Sequence, residues 1–377
     1  MSSTHVIHLV ESSDRHDWLE KLIGCLDRKG VSQTLITLEP DGNLYTYLLN
    51  EYPKLQLVKS HRKRLNLVTG TLEVLRARNG DSINLIFALG HPAAFIAAIT
   101  SLFSRMKFIF SHMQQPNYFN LMKPRWRGVL HDFIYNFYVA QSSLIHSLSG
   151  EVTEFLTKKG ISSKKIFRVN IGVNFDGIRE KLLKEDSSVI IPPGSPIILM
   201  VGRLAPEKNY VLALGAFAVF LRDNPEAQLL IAGVGPQEEE LRVIAKELRI
   251  SKNVLFLGYI GNVPRLMARA DLLLHLATTE SYGQIYIEAM LSKLPIVCSR
   301  TGIAVDFVES KVPNIYVTDE FSVESIVEKM ELGLKKEIDS LTINTNPFLA
   351  FKDHDEKVVH ERIADSFINF TSIHYDY

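Results

Sequence analysis

The chain has 377 residues, long for a single core, and 46% hydrophobic against 22% charged residues is an ordinary globular balance that suits two domains. Its two cysteines, Cys25 and Cys298, exclude a disulfide framework and a cysteine-based metal site. Net charge is zero, yet residues 1–184 hold 24 Lys and Arg against 15 Asp and Glu, and residues 185–377 hold 18 against 27. Such a split points either to an anionic surface or partner facing the basic half, or to two halves that attract each other.

The N-terminus MSSTHVIHLVESSDRHDW has no basic start and only a short apolar run, so no signal peptide is expected. "HVIHLV" (5–10) reads as a strand and "DWLEKLIGCLDRKG" (17–30) as an amphipathic helix closed by a glycine. "VSQTLITL" (31–38), "INLIFAL" (83–89), "KFIFSHM" (107–113) and "SSLIHSLS" (142–149) are further strands, with helical stretches between them. The longest apolar region, 83–103, is cut by His91-Pro92 into pieces shorter than the roughly 18 residues of a spanning helix. It reads as a buried strand followed by a buried helix.

"KEDSSVIIPPGSP" (184–196) has linker composition and lies near the charge switch. Beyond it, "IILMVG", "AQLLIAG", "NVLFLG", "LLLHLA" and "PIVCS" are continuous apolar runs, as strands covered on both faces should be. Strands alternating with helices predict two doubly wound α/β domains with a ligand site at the strands' carboxyl ends, in a cleft between the domains. The expected division is 1–185, 186–345 and a helical tail over 346–377. That tail, with Val358, Val359, Ile363, Phe367 and Ile368, is expected to pack back on a domain, the N-terminal one being the candidate.

Chemistry concentrates in the second half. In "IILMVGRLAPEKNY" a strand ends at Gly202, and Arg203 and Lys208 follow in a turn where Pro206 suits a helix start. Two cations beside free backbone amides suit an anion. "IAGVGPQEEELRVIA" (231–245) is no dinucleotide fingerprint, because Gln237 and Glu238 stand where the third glycine should fall, and it reads as a tight strand-to-helix turn. In "TESYGQIYIEAM" (279–290), Glu280 falls in a turn and Gly283 permits close backbone approach. The amides of Gly283, Gln284 and Ile285 would open a helix and suit a diphosphate, while Glu288, a turn inside, is placed to accept from a ribose diol. Two exposed helix acids are the simpler alternative.

These segments, taken in order over 197–308, resemble the donor-binding domain of retaining glycosyltransferases of family 4, which have the GT-B fold. The pair Glu280 and Glu288, following Gly202-Arg203 and Lys208, carries the resemblance, with "IFRVNIGVNFDGI" (166–178) matching the end of the family's first domain. The resemblance implies two Rossmann-like domains facing a central cleft, 1–185 binding acceptor and 186–345 binding a nucleotide-sugar donor. Arg203 and Lys208 would hold the donor diphosphate and stabilise the leaving nucleotide. Glu288 would hold the ribose and Glu280 the donor sugar. The nucleobase would lie near Leu257, Tyr259 and Ile260. His112 in "FSHMQ" matches a histidine near the transferred sugar, and His91 is a weaker match.

Two features depart from the family. "VESSDRHDW" (10–18) lacks the family's glycine-rich loop, so Ser12, Ser13 or Asp14 would line an altered acceptor site instead, and Met113 stands where an acid often follows the histidine. The implied activity is transfer, with retention and without a metal or other cofactor, of a sugar from a UDP- or GDP-linked donor to a glycan or lipid-linked hydroxyl. Glycan, capsule, lipopolysaccharide or glycolipid synthesis is the expected setting. A sugar-nucleotide epimerase and a non-catalytic sugar-nucleotide-binding subunit are the alternatives. The basic patches "HRKR" (61–64) and "KPRWRG" (123–128), with Trp126 as an anchor, predict peripheral contact with an anionic membrane from the cytoplasmic side. The acidic second half and the absence of a reader motif argue against nucleic acid.

Overall fold

The structure, a computed structural model, describes residues 3–14, 16–40, 43–58, 66–80, 82–104, 106–113, 125–184, 194–318, 320–335 and 347–374. The patch at 61–64, the first two residues of 123–128 and most of the linker lie outside the described residues.

Contacts divide the chain into two units. One comprises Met1–Leu148, Val152–Gly172 and Glu356–Tyr377, the other Ser149–Glu151 and Val173–Asp355. The first contains β1 (Ser3–Val10), α1 (Asp17–Arg28), β2 (Ser32–Thr37), α2 (Leu44–Glu51), β3 (Gln56–Val58), α3 (Leu67–Arg76), β4 (Ser82–Leu89), α4 (His91–Ser104), β5 (Lys107–His112), α5 (Arg125–Gln141), β6 (Leu144–Ser147), most of α6 (Gly150–Lys158) and β7 (Ile166–Arg168). All pairings are parallel, in the order β3-β2-β1-β4-β5-β6-β7.

Side chains alternate across this sheet, as strand geometry requires. Ile7, Leu9, Ile86 and Ala88 face α3, α4 and α5, while Val6, Val10, Leu85 and Phe87 face α1. The helix Glu356–His374 packs on α1 and adds Val359, Ile363, Ala364 and Phe367 to the second face. Helix α5 buries Tyr135, Tyr138 and Val139 but leaves Trp126, Val129, Leu130 and Phe133 exposed, the last at 73%. No helix among the described residues is long and apolar enough to cross a membrane.

The second unit contains α7 (Phe175–Leu183), β8 (Ile197–Val201), α8 (Tyr210–Phe220), β9 (Gln228–Ala232), α9 (Glu238–Glu247), β10 (Val254–Gly258), α10 (Val263–Met267), β11 (Leu272–His275), α11 (Gln284–Leu291), β12 (Ile296–Ser299), α12 (Ala304–Glu309), β13 (Ile315–Thr318) and α13 (Val323–Lys335). Its sheet is again all parallel, in the order β10-β9-β8-β11-β12-β13. The unit begins at Val173, earlier than the 185/186 division read from the sequence. The reason is that α7 packs on α10, where Asn262 Nδ2 donates to Lys181 O at 3.1 Å and Arg265 Nη1 to Leu182 O at 3.4 Å. Its other end runs on to Asp355, since Val173 N donates to His354 O at 2.8 Å.

Candidate active site

In the second unit the strand order reverses between β8 and β11, so crossovers leave these neighbours in opposite directions and open a crevice at their carboxyl ends. Gly202 and Arg203 leave β8 there, and Glu280 follows β11. The exits of β8 and β9 run against each other. A Cβ on Gly233, at φ 150°, would lie 1.8 Å from Gly202 O, and one on Gly235 2.3 Å from Leu204 O. These two glycines therefore serve backbone approach. Gly202, Arg203, Gly233, Tyr259, Ile260 and Val263 line a cavity of about 560 Å³, with Tyr259 82% exposed at its rim. Leu257 lies half-buried within β10 and does not line it.

After Arg203 the chain makes one 3₁₀ turn, Pro206–Lys208, with proline at its first position, and Asn209 in the left-handed region (φ 57°) redirects it into α8. Thr278 N donates to Glu207 O at 2.8 Å, joining this turn to the β11–α11 turn. The joint delivers Lys208 to Glu280, whose Oε2 accepts from Nζ at 2.5 Å. The two side chains are only 16% and 14% exposed. His275, the buried last residue of β11, brings Nε2 to 3.5 Å from the same oxygen, too long for a good hydrogen bond, and sets its ring edge-on to Tyr286. Burial pushes the Glu280 carboxyl up, but His275 and Lys208 outweigh it and hold it down at about 2. Burial pushes the His275 imidazole down, against the pull of Glu280.

Gly283 caps α11 at φ 86°, where a Cβ would meet the Tyr286 ring at 2.5 Å. The first amides of α11, from Gln284 and Ile285, have no acceptor inside the helix, which makes this end an anion-favouring pole. Glu288 lies one turn on, accepting from Gln284 Nε2 at 3.1 Å. Burial pushes its carboxyl up, while Lys181 and Gln284 pull it down.

The structure thus joins Lys208 to Glu280 and groups Gly202, Arg203, Tyr259 and Ile260 around one cavity. His112 belongs to the first unit, buried at the end of β5 with its ring against Phe110, Tyr135 and Phe155. His91 bonds Tyr138 Oη, and burial pushes its imidazole down to about 3. Ser12 lines a cavity of about 400 Å³ in that unit, whereas Ser13 is buried and Asp14 exposed.

Two residues escaped the sequence reading. His275 carries a weak signal, a polar residue closing the apolar run "LLLH". Glu151, at the start of α6 and grouped with the second unit, accepts from Gly302 N at 2.5 Å and Glu280 N at 3.2 Å. Its only sequence mark is an acid in a helix's first turn, which occurs widely.

The family model described as "Glycosyl transferases group 1" matches residues 184–346. The chain is 25% identical over 207 residues to the Campylobacter jejuni N-acetylgalactosamine-N,N'-diacetylbacillosaminyl-diphospho-undecaprenol 4-alpha-N-acetylgalactosaminyltransferase, covering 54% of each. It is 26% identical over 251 residues to the Bacillus anthracis N-acetyl-alpha-D-glucosaminyl L-malate synthase, covering 63% of this chain and 61% of that one. It therefore spans less than two thirds of either relative. Anabaena HepE, solved in complex with UDP, matches the fold with a TM-score of 0.73 at 17% identity, over 97% of this chain and 100% of that one. Residues 184–346 thus match the glycosyl transferases of group 1, and the two parallel-sheet units have the GT-B fold.

Proposed function

We propose that the protein transfers a sugar from a nucleoside-diphosphate donor to an acceptor hydroxyl with retention of configuration. The observation that carries this reading is the buried Lys208–Glu280 ion pair at the β8/β11 switch point, at the same carboxyl end of the sheet as Arg203 and the α11 N-terminus. Departure of the nucleoside diphosphate builds negative charge on the β-phosphate. Arg203, Lys208 and the α11 amides are groups that would stabilise it, the electrostatic route by which such sites lower a barrier. Glu280 stays ionised, so it can accept from a sugar hydroxyl but has no proton to give. Glu288 would receive the ribose diol, and Tyr259 and Ile260 the base. A UDP- or GDP-linked sugar is the expected donor, in line with HepE's UDP.

The first unit would bind the acceptor. Supporting this is the cavity at the carboxyl ends of β1 and β4, lined by Glu11, Ser12, His16, Trp18, Glu39 and Gly90. His112 is the first unit's candidate for contact with the transferred sugar. A glycan or lipid-linked acceptor accords with the undecaprenol-linked substrate in the Campylobacter enzyme's name. The exposed apolar side of α5, together with Arg127, would rest on an anionic membrane surface.

The test is nucleoside diphosphate release from a panel of UDP-, GDP- and ADP-sugars, with and without Glu280→Gln. Turnover by the wild type and its loss in the variant, with nucleotide binding kept, is the expected result. Full turnover in Glu280→Gln would refute the assigned role.

A further inference from the structure

We propose that Glu151 is a positioning residue that fixes the Glu280 loop for sugar transfer, an inference that rests on reading Glu280 as the donor-sugar carboxylate. Glu151 does not reach Lys208 or the 560 Å³ cavity. Its carboxylate turns onto the backbone that carries Glu280. Oε2 accepts from the Gly302 amide at 2.5 Å and the Glu280 amide at 3.2 Å, and Oε1 accepts from the Thr279 hydroxyl at 3.3 Å. Its two predecessors grip the same region. Ser149 Oγ donates to Ser281 O at 2.8 Å, and Gly150 N donates to Asp306 Oδ2 at 2.9 Å. Glycine is needed at 150, because a Cβ there would meet Val305 Cγ1 at 2.7 Å.

The tripeptide therefore holds Glu280 from both sides, through Thr279 and its own amide before the side chain and through the Ser281 carbonyl after it. The Gly302 turn joins the same clasp. It has φ 56°, and a Cβ there would lie 2.3 Å from Tyr282 O. One carboxylate thus ties two loops that neither helix nor sheet bonding fixes.

A neutral latch would cost less if bulk stability were the purpose. Burial and the nearby Glu280 charge both work against an ionised Glu151. What a carboxylate offers is acceptor-only chemistry. It makes strong charge-assisted bonds to backbone amides and brings no N–H to compete for the Glu280 oxygens or for sugar hydroxyls. Misplacing a reacting group by about 1 Å can lower a rate about 100-fold.

The test compares Glu151→Ala, Glu151→Gln and Ser149→Ala with the wild type in the full chain. The readouts are kcat and KM for nucleoside diphosphate release from whichever of UDP-glucose, UDP-N-acetylglucosamine and GDP-mannose the wild type turns over, plus the Kd of UDP or GDP. Glu151→Ala should lower kcat about 10- to 100-fold, while donor KM and nucleotide Kd stay within about twofold, because Arg203 and Glu288 lie outside the clasped loop. Glu151→Gln should recover only part of the rate, since its amide oxygen still accepts from Gly302 and Glu280 while its N–H group is a new donor beside the Glu280 loop. Ser149→Ala, which removes the hydroxyl's bond to Ser281 O, should show a smaller fall in kcat at unchanged KM. It answers the question if Glu151→Ala does not fold.

Unchanged kcat in both Glu151→Ala and Ser149→Ala would overturn the proposal. So would parallel loss of kcat and nucleotide affinity, the pattern of a merely structural residue. Glu280→Gln, run alongside, separates the two readings. If it retains turnover, the Glu280 assignment fails. If it is inactive while Glu151→Ala is not, only the positioning role fails.

Discussion

The Lys208–Glu280 pair makes a double-mutant cycle decisive. The perturbations are Lys208→Met, Glu280→Gln and both together. Glu280 is held at about 2 against an ordinary 4.5. That displacement corresponds to about 3 kcal/mol favouring the ionised form in the folded state. Because the folded value is depressed, the stabilisation is fully present above pH 4.5 and is lost as pH falls toward 2. His275 supplies part of it, so the share coupled to Lys208 is about 2 kcal/mol. Each single variant should lose about 2 kcal/mol at pH 7, and the double variant about as much as either single one, because a buried charge without its partner is the costly state.

Urea unfolding followed by circular dichroism and by tryptophan fluorescence reads this cycle. Both tryptophans, Trp18 and Trp126, lie in the first unit, so fluorescence reports that unit alone. The variants should shift the dichroism transition and leave the fluorescence transition in place. At pH 3 less than half of the coupling should remain, by the same linkage. Losses that add within about 0.5 kcal/mol would show that the pair does not interact, and the reasoning would fall.

Three further outcomes follow. Arg203→Ala should lower kcat about 100- to 1,000-fold if the guanidinium meets charge that develops on departure, measured as nucleoside diphosphate release. Gly283→Ala should destabilise the second unit by about 2 kcal/mol in denaturant melts, because φ 86° and the Tyr286 ring both oppose a Cβ. Phe133→Asp should weaken cosedimentation with vesicles containing anionic lipid about tenfold, while leaving the tryptophan-reported melt unchanged, since the side chain is 73% exposed.

Much of the second unit was legible because its central strands are covered on both faces. β8, β9, β11 and β12 read as unbroken apolar runs, with Ile198, Leu229, Leu272 and Val297 all buried. Of the edge strands only β10 was legible. Gln56–Val58, Ile166–Arg168 and Ile315–Thr318 are three or four residues long and half-wet, so no period develops in them. Arg203, Lys208, Glu280 and Glu288 could be picked out because their spacing follows strand and helix ends. The contacts that set their chemistry could not. Lys208 meets Glu280 across 72 positions and Glu151 meets the Glu280 amide across 129. Such pairings depend on strand order and register, which local pattern does not encode. The division at Gly172 was hidden for a related reason: the 184–196 stretch has linker composition, but the backbone of α7 accepts from α10 well before it.

The return of Glu356–His374 to the first unit has a consequence for biogenesis. The segment Val173–Asp355 is translated between two parts of one hydrophobic core. Val6, Leu19, Ile23 and Leu26 leave the ribosome long before Val359, Ile363 and Phe367 exist to cover them. At synthesis rates of about 5–20 residues per second, the delay between Leu26 and Val359 is on the order of fifteen to seventy seconds. During it the nascent N-terminal sheet carries a greasy, uncapped face while the later sheet is already able to form. The last helix is thus the closing event of the first unit's folding, and a stop at residue 355 should yield a chain with an intact C-terminal core and an aggregation-prone N-terminal one.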